Sequence, residues 1–327
     1  MRHIKTIMTN QVENNIKVSI VIVCMNNLKN LYPCLNSIKH FTTISYECFV
    51  VAYLFSRENL EKVQKDFPWV RFIESNEIRG FSENNNLALK QAKGKYCFVL
   101  NDDTEMKMPV IDRLFSQIEH LPSNVAIISP KTIFGDGRLQ SCGRPRLTYW
   151  KYVRGIFKLY NEVREKSRYV NQKGVFQSYN IVGAAFMIKT HIFKSIGFFN
   201  EKYFFCPEDI EVSTILNKLG YQVYVDSDIV LYHYEGGSYK ISRTRTATMP
   251  ASAMGSLLFY CGNNSLKRYF TARIVRFQAY LKMQYWKRRI NTDRERAQIM
   301  IDSFQNIYDT ICSTLTPKEI FIKYFKL

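Results

Sequence analysis

Residues 96–100, YCFVL, run without a break into Asn101-Asp102-Asp103-Thr104. A short, wholly apolar run of this kind suits a strand covered on both faces, as in a parallel α/β sheet. In open α/β sheets ligands bind beyond the C-terminal ends of the strands, so Asp102 and Asp103 fall where a ligand would sit. Neighbouring carboxylates repel each other, which favours a countercharge. Mg²⁺ or Mn²⁺ bridging a diphosphate is a natural one, because these ions prefer hard oxygen ligands. On its own the tetrapeptide also reads as an ordinary turn and helix cap.

Upstream, residues 18–24 (VSIVIVC) form a second apolar, β-branched run. Leu28, Leu31, Leu35 and Ile38 follow at helical spacing, with Asn26 or Asn27 as the N-cap. A strand near 48–55, a helix over 57–67, a strand over 70–73 and a helix over 82–93 that stops at Gly94 complete the approach to YCFVL. Alternation at this pace predicts βαβ units and a mostly parallel sheet.

Downstream the rhythm changes. A helix near 109–120 leads to a strand near 125–129, and Asp136-Gly137 marks a hairpin within 134–139. Residues 144–175 are basic and aromatic without a clear period and read as a long excursion suited to a mobile substrate loop. A strand over 179–188, a short helix to Ile196, a helix over 207–219 and strands over 221–225 and 229–232 follow. Beyond Pro250 the pattern is helical, and no internal repeat is present.

The 327 residues include 23 Phe, 21 Tyr and 3 Trp, enough for a sizeable core. No run approaches the roughly 18 apolar residues of a membrane span, and residues 1–17 lack a signal-peptide apolar region, so a cytoplasmic protein is expected. The eight cysteines show no CxxC or metal-finger spacing and read as reduced thiols. A formal charge of +18 favours anionic partners: nucleic acid, an anionic membrane surface or phosphorylated substrates. Nucleic acid is disfavoured, since no helix-turn-helix, zinc-finger or RNP pattern accompanies the charge. Dinucleotide oxidoreductases and P-loop enzymes lack their glycine motifs here.

A second acidic pair, Glu208-Asp209, follows Phe204-Phe205-Cys206-Pro207 and opens a helix. First-turn carboxylates are common for dipole reasons alone. An aromatic wall of Tyr203, Phe204 and Phe205 beside them would restrict water and raise their basicity, as a general base requires. His233 ends a short strand before Glu235-Gly236-Gly237-Ser238. A lone His is commonly structural, but beside an acidic metal position it becomes a candidate ligand.

Together these segments resemble glycosyltransferase family 2 with its GT-A fold, particularly its rhamnosyltransferase-like members. Four ordered blocks carry the likeness between residues 17 and 240: VSIVIVCMN at 18–26; Arg79-Gly80-Phe81-Ser82 through Asn86 to Ala92-Lys93-Gly94-Lys95-Tyr96; LNDDT at 100–104; and Gly183-Ala184-Ala185-Phe186-Met187, Ile196-Gly197-Phe198-Phe199-Asn200-Glu201, Glu208-Asp209, Gly220-Tyr221 and His233. The resemblance implies a Rossmann-like, mixed but mostly parallel sheet. It implies an N-terminal lead (1–16), a catalytic domain (17–245, donor half 17–105, acceptor half 106–245) and a helical extension (246–327).

By the same resemblance Asp103 contacts the metal, Mg²⁺ or Mn²⁺, with Asp102 supporting ribose or metal. Val23, Asn26, Arg79 and Asn86 line the donor pocket, and His233 contacts diphosphate or metal. Asp209 is the base of a single inverting displacement, with Glu208 its neighbour. The implied partners are a UDP- or dTDP-sugar donor and a saccharide or lipid-linked acceptor of cell-surface polysaccharide synthesis. Two departures stand out. Ala52 lies near the Asp with which the family reads the nucleotide base, and the family's Glu-Asp-x-Asp reads Glu208-Asp209-Ile210-Glu211. Ala52 keeps open the alternative of a non-catalytic sugar-nucleotide-binding or scaffold protein of the same fold.

Between Asn264 and Arg296 there are ten Lys or Arg and two acids. Leu266, Phe270, Ile274, Phe277 and Leu281 recur at helical spacing, extended by Tyr285 and Trp286. Such a basic amphipathic helix fits either the inner face of the cell membrane or packing on the catalytic domain.

Overall fold

The computed structural model describes residues 16–157, 169, 172–234 and 244–325. The expected N-terminal lead lies outside them except for its last residue, as do much of the 144–175 excursion and the Glu235–Ser238 tetrapeptide.

The donor half is built as its apolar runs dictate. β1 (Val18–Met25) lies between β2 (Tyr46–Tyr53) and β4 (Tyr96–Asn101), parallel to both, and β3 (Arg71–Ser75) adds a parallel edge. Successive side chains of a strand point to opposite faces. Ile20, Ile22 and Cys24 therefore join one core with α1 (Leu28–Phe41), α2 (Arg57–Asp66) and α4 (Val110–His120), while Val21 joins the other with α3 (Phe81–Leu89). Of the two candidate caps, Asn27 is the one that holds α1, accepting the Asn30 N–H.

The acceptor half continues the sheet in the order β3-β2-β1-β4-β9-β6-β10-β5. β5 is Thr104–Glu105, β6 Val125–Ile133, β9 Ala185–Lys189 and β10 Gln222–His233. β9 runs antiparallel between β4 and β6, and β6 pairs in parallel with β10. β7 (Leu139–Ser141) folds back on β6 through the expected Asp136-Gly137 turn, with Gly137 at φ +83°. Two expectations are corrected. The strand over 179–188 is confined to β9, because Asn180 is drawn away to donate its amide to the Pro145 carbonyl at 2.6 Å, and a further strand, β8 (Val175–Ser178), forms just before it, where the excursion was expected to end. The strands over 221–225 and 229–232 are one, β10, interrupted by an irregularity between Asp226 and Val230.

α5 (Tyr149–Ile156), α6 (Thr190–Ser195) and α7 (Glu208–Lys218) decorate this half, and four helices follow: α8 (Arg245–Cys261), α9 (Ser265–Lys287), α10 (Arg294–Thr310) and α11 (Pro317–Tyr324). They form a third core that includes Phe204. Gly255 of α8 lets the backbone approach: a Cβ there would fall 2.4 Å from the Cys206 carbonyl oxygen. The helices thus buttress the loop that precedes Glu208. Among the described residues no helix is long and apolar enough to cross a membrane. All eight cysteines are free, and six are buried.

Candidate active site

Two acidic stations form at the edge where β1, β2 and β4 end. The first is Asp102-Asp103. Asp102 is partly buried, and burial pushes its carboxyl up to about 7, opposed by the hydrogen bond from Cys24 and reinforced by the charge of Asp103. Asp103 Oδ1 is buried and accepts no well-formed hydrogen bond, yet it lies 3.0 Å from His233 Nε2. His233 reaches this position because the end of β10 pairs antiparallel with β5, placing it opposite Thr104.

The other ring nitrogen, Nδ1, lies 2.8 Å from Gln140 Oε1. An amide oxygen can only accept, so Nδ1 carries the proton and Nε2 of the neutral ring presents a lone pair. A lone pair facing a carboxylate oxygen requires positive charge, either a proton on the ring or a cation held by both atoms. The donor set, one carboxylate oxygen and one oriented imidazole, fits a divalent ion. Among the described residues no three or more His, Cys, Asp or Glu side chains gather to hold a metal. Any ion here would take its other ligands from elsewhere.

The second station is Glu208-Asp209, in the first turn of α7 after the cis Cys206-Pro207 bond. Asp209 Oδ2 accepts from Arg144 Nη1 at 3.0 Å and from the Gly183 N–H at 3.2 Å; Oδ1 accepts from the Ile210 N–H at 2.8 Å. Glu208 Oε2 is buried without a partner. Burial, and then the charge of Asp209, push the Glu208 carboxyl well above its ordinary range.

The stations are tied together. The Asn101 N–H donates to the Ala184 carbonyl at 2.9 Å, while Gly183, next to Ala184, donates to Asp209. One step along the chain at each end therefore links Asp102 to the Asp209 carboxylate. The RGFS block is drawn in from the other side. Phe81 N–H donates to the Phe204 carbonyl at 2.7 Å, and a Cβ on Gly80 would fall 2.3 Å from that same oxygen.

The remaining predicted residues divide into contacts and braces. Val23 is half-buried on β1, opposite Asn101. Asn26, at φ +48°, accepts from the Ser56 N–H and from Asn59, and so holds the loop after β2. Arg79 is mostly buried, pairs with Glu77 at 2.7 Å, and its N–H donates to the Tyr53 hydroxyl. Asn86 is buried and bonds both ways to the Phe199 backbone and to Glu201, clasping α3 to the chain before the second station. Glu211 accepts from Asn200 and the Tyr203 hydroxyl. Of the aromatic wall, Phe204 stacks on Phe321 at 4.3 Å and anchors the loop to α11. Ala52 is fully buried in the core, so no carboxylate stands at that strand end.

Sequence reasoning missed Arg144 and Gln140. Arg144 sat unremarked in the basic excursion, 65 residues from its partner. Gln140 follows the Asp136-Gly137 hairpin signal, but a hairpin gives no hint of a distant imidazole.

The chain is 27% identical to the O-antigen biosynthesis protein RfbC of Myxococcus xanthus over 165 residues, 47% of this chain and 12% of that protein. It is 25% identical to the low-salt glycan biosynthesis hexosyltransferase Agl10 of Haloferax volcanii over 202 residues, 59% of each. It therefore spans well under two thirds of both relatives. Its fold resembles that of GalNAc-T7 solved with UDP, GalNAc and Mn²⁺ (TM-score 0.57, 15% identity, 91% of this chain and 57% of that one). It also resembles the mannosyltransferase PcManGT of Pyrobaculum calidifontis with GDP-Man and Mn²⁺ (TM-score 0.50, 14% identity, 90% and 86%). These are GT-A structures, and the sheet order and helical C-terminal region described above agree with them. The family model for glycosyl transferase family 2 matches residues 19–193, more than half of the sequence, and the chain belongs to that family.

Proposed function

We propose that the protein is an inverting, divalent-metal-dependent glycosyltransferase. It moves a sugar from a UDP- or dTDP-linked donor to a saccharide or lipid-linked acceptor in cell-surface polysaccharide synthesis. The observation that carries this reading is the tethering of two unlike acidic stations at one sheet edge through the Asn101–Ala184 and Gly183–Asp209 hydrogen bonds. The glycan-biosynthesis relatives support the pathway class, and the Mn²⁺ in the two similar structures supports the metal.

Asp103 and His233 would hold Mg²⁺ or Mn²⁺, which when bound neutralises charge on the leaving diphosphate. Gln140 fixes the imidazole so that Nε2 faces Asp103. Asp209 receives the proton of the acceptor hydroxyl as that oxygen attacks the anomeric carbon and the bond to the diphosphate breaks. A carboxylate has about four lone-pair sites, and among the described residues Oδ1 accepts the Ile210 N–H alone, so a site remains for that proton. Arg144 pairs with Asp209 at 3.0 Å, and burial raises the Glu208 carboxyl.

Asp209→Asn should abolish transfer and leave manganese-dependent nucleotide binding intact. Turnover equal to wild type would remove Asp209 as the base. A second reading, a sugar-nucleotide-binding protein without turnover, draws on Ala52 and on the Arg144 contact that engages Asp209. Donor binding without transfer across a broad acceptor panel would favour it.

A further inference from the structure

Thirteen large hydrophobic side chains stand exposed among the described residues, and seven of them lie on α9. Leu266, Phe270, Phe277 and Leu281 are each at least half exposed and recur at intervals of four, seven and four. At 100° per residue they fall on one side of the helix. Tyr269, Tyr280 and Tyr285 flank them. The opposite side, Thr271, Ala272, Val275, Ala279 and Met283, is the one that packs on the neighbouring helices. Most of the apolar stripe legible in the sequence is thus the face that the fold leaves uncovered; Trp286 turns inward onto the third core.

The charges around the stripe identify its partner. The 23 residues of α9 include six Lys or Arg and no Asp or Glu, and Arg288 and Arg289 follow directly. Lys267, Arg268, Arg273, Arg276, Lys287 and Arg288 are exposed. Arg273 and Arg289 lie over the rings of Tyr269 and Tyr285. A second copy of this chain docked by the same face would bring two acid-free cationic helices together, since a two-fold interface pairs a patch with itself. An anionic lipid surface satisfies both features: rings and Leu side chains enter the headgroup boundary, and Lys and Arg reach the phosphates.

We propose that this face of α9 lies on an anionic lipid bilayer. The helix is about 35 Å long, a substantial in-plane anchor. At its N-terminal end a cavity of about 370 Å³ is lined by apolar side chains such as Met254, Leu257 and Leu315 together with Ser265, Arg268 and Arg273. The membrane face is also coupled to the acceptor side of the sheet. α5 is held to α9 by Tyr149–Thr271 and Gln278–Ile156 hydrogen bonds and exposes Trp150. Tyr149, where α5 begins, comes five residues after Arg144, the partner of Asp209. A lipid-linked acceptor would meet the protein beside that segment.

The test is co-sedimentation of the full chain with vesicles of phosphatidylcholine alone or mixed with phosphatidylglycerol. Binding is expected only with phosphatidylglycerol present. Phe270→Ser/Phe277→Ser/Leu281→Ser should weaken it roughly a hundredfold, at about fivefold for each partly immersed side chain. Lys287→Glu/Arg288→Glu, which removes two exposed cations, should weaken it by about fivefold or more per site. Both variants should melt with wild type, and the charge variant decides the matter if the triple variant does not fold. Indifference to phosphatidylglycerol, or wild-type binding by either folded variant, would overturn the proposal. So would a lipid-free dimer, seen by analytical ultracentrifugation, that the triple variant splits. The readout needs no sugar donor, so it stands or falls apart from the catalytic reading.

Discussion

Asp102-Asp103 and Glu208-Asp209 are both adjacent acid pairs beside the C-terminal strand ends, but their surroundings differ in kind. At the first pair, among the described residues, Asp103 faces an imidazole whose second nitrogen is held by Gln140, and its Oδ1 has no well-formed hydrogen bond. At the second pair Arg144 sits on Asp209. One station is completed by the fold, with a guanidinium facing one carboxylate and the neighbouring carboxyl raised by burial. The other has no Lys or Arg partner among the described residues. A carboxylate with a fixed guanidinium partner is held in one orientation, whereas a carboxylate facing an imidazole nitrogen suits a metal-bound diphosphate.

The comparison can be broken one residue at a time. Asp209→Asn preserves shape and removes the proton acceptor, so turnover should fall by about 10²- to 10⁴-fold; initial-rate assays read this directly. Arg144→Met makes the second station resemble the first by leaving Asp209 without its cation. The pair is mostly but not wholly buried, at 18% and 11% side-chain exposure, which sets the expected loss near the lower end for buried pairs, about 3 kcal/mol. Urea unfolding should show that loss, and Arg144→Met/Asp209→Asn should recover most of it.

A smaller, pH-dependent effect belongs to Glu208. Its folded carboxyl is raised above the ordinary 4.5, so the native state holds a proton that the unfolded chain has released above that pH. Stability from this group therefore falls as pH rises past about 4.5. Glu208→Gln removes the dependence. The variant should melt increasingly above wild type as pH rises past about 4.5, and a constant gap there would show that the folded carboxyl is not raised.

What the sequence disclosed follows from how local each signal is. The buried strands β1 and β4 were legible because a doubly covered strand leaves a continuous apolar run, and the β6–β7 hairpin because Asp136-Gly137 suits a tight turn. The two acidic stations were visible as residues, but their charge states were not. Arg144 reaches Asp209 across 65 positions and Gln140 reaches His233 across 93, and no local pattern marks either. The strand over 179–188 starts only at Ala185 because the Asn180 amide, like the Ser178 hydroxyl before it, bonds to a backbone carbonyl, a competition that side-chain hydropathy does not register. On α9 the period was readable and the packing face was not. Small residues such as Ala272 and Ala279 allow close helix approach, and that contact turned the larger stripe outward.

The station at Asp103 carries the central claim, and calorimetric titration with UDP, dTDP, GDP and CMP, each with and without Mn²⁺, tests it most directly. The account predicts manganese-dependent binding of one nucleoside diphosphate, lost in Asp103→Ala and retained in Asp209→Asn. Binding that ignores both manganese and Asp103→Ala would contradict it.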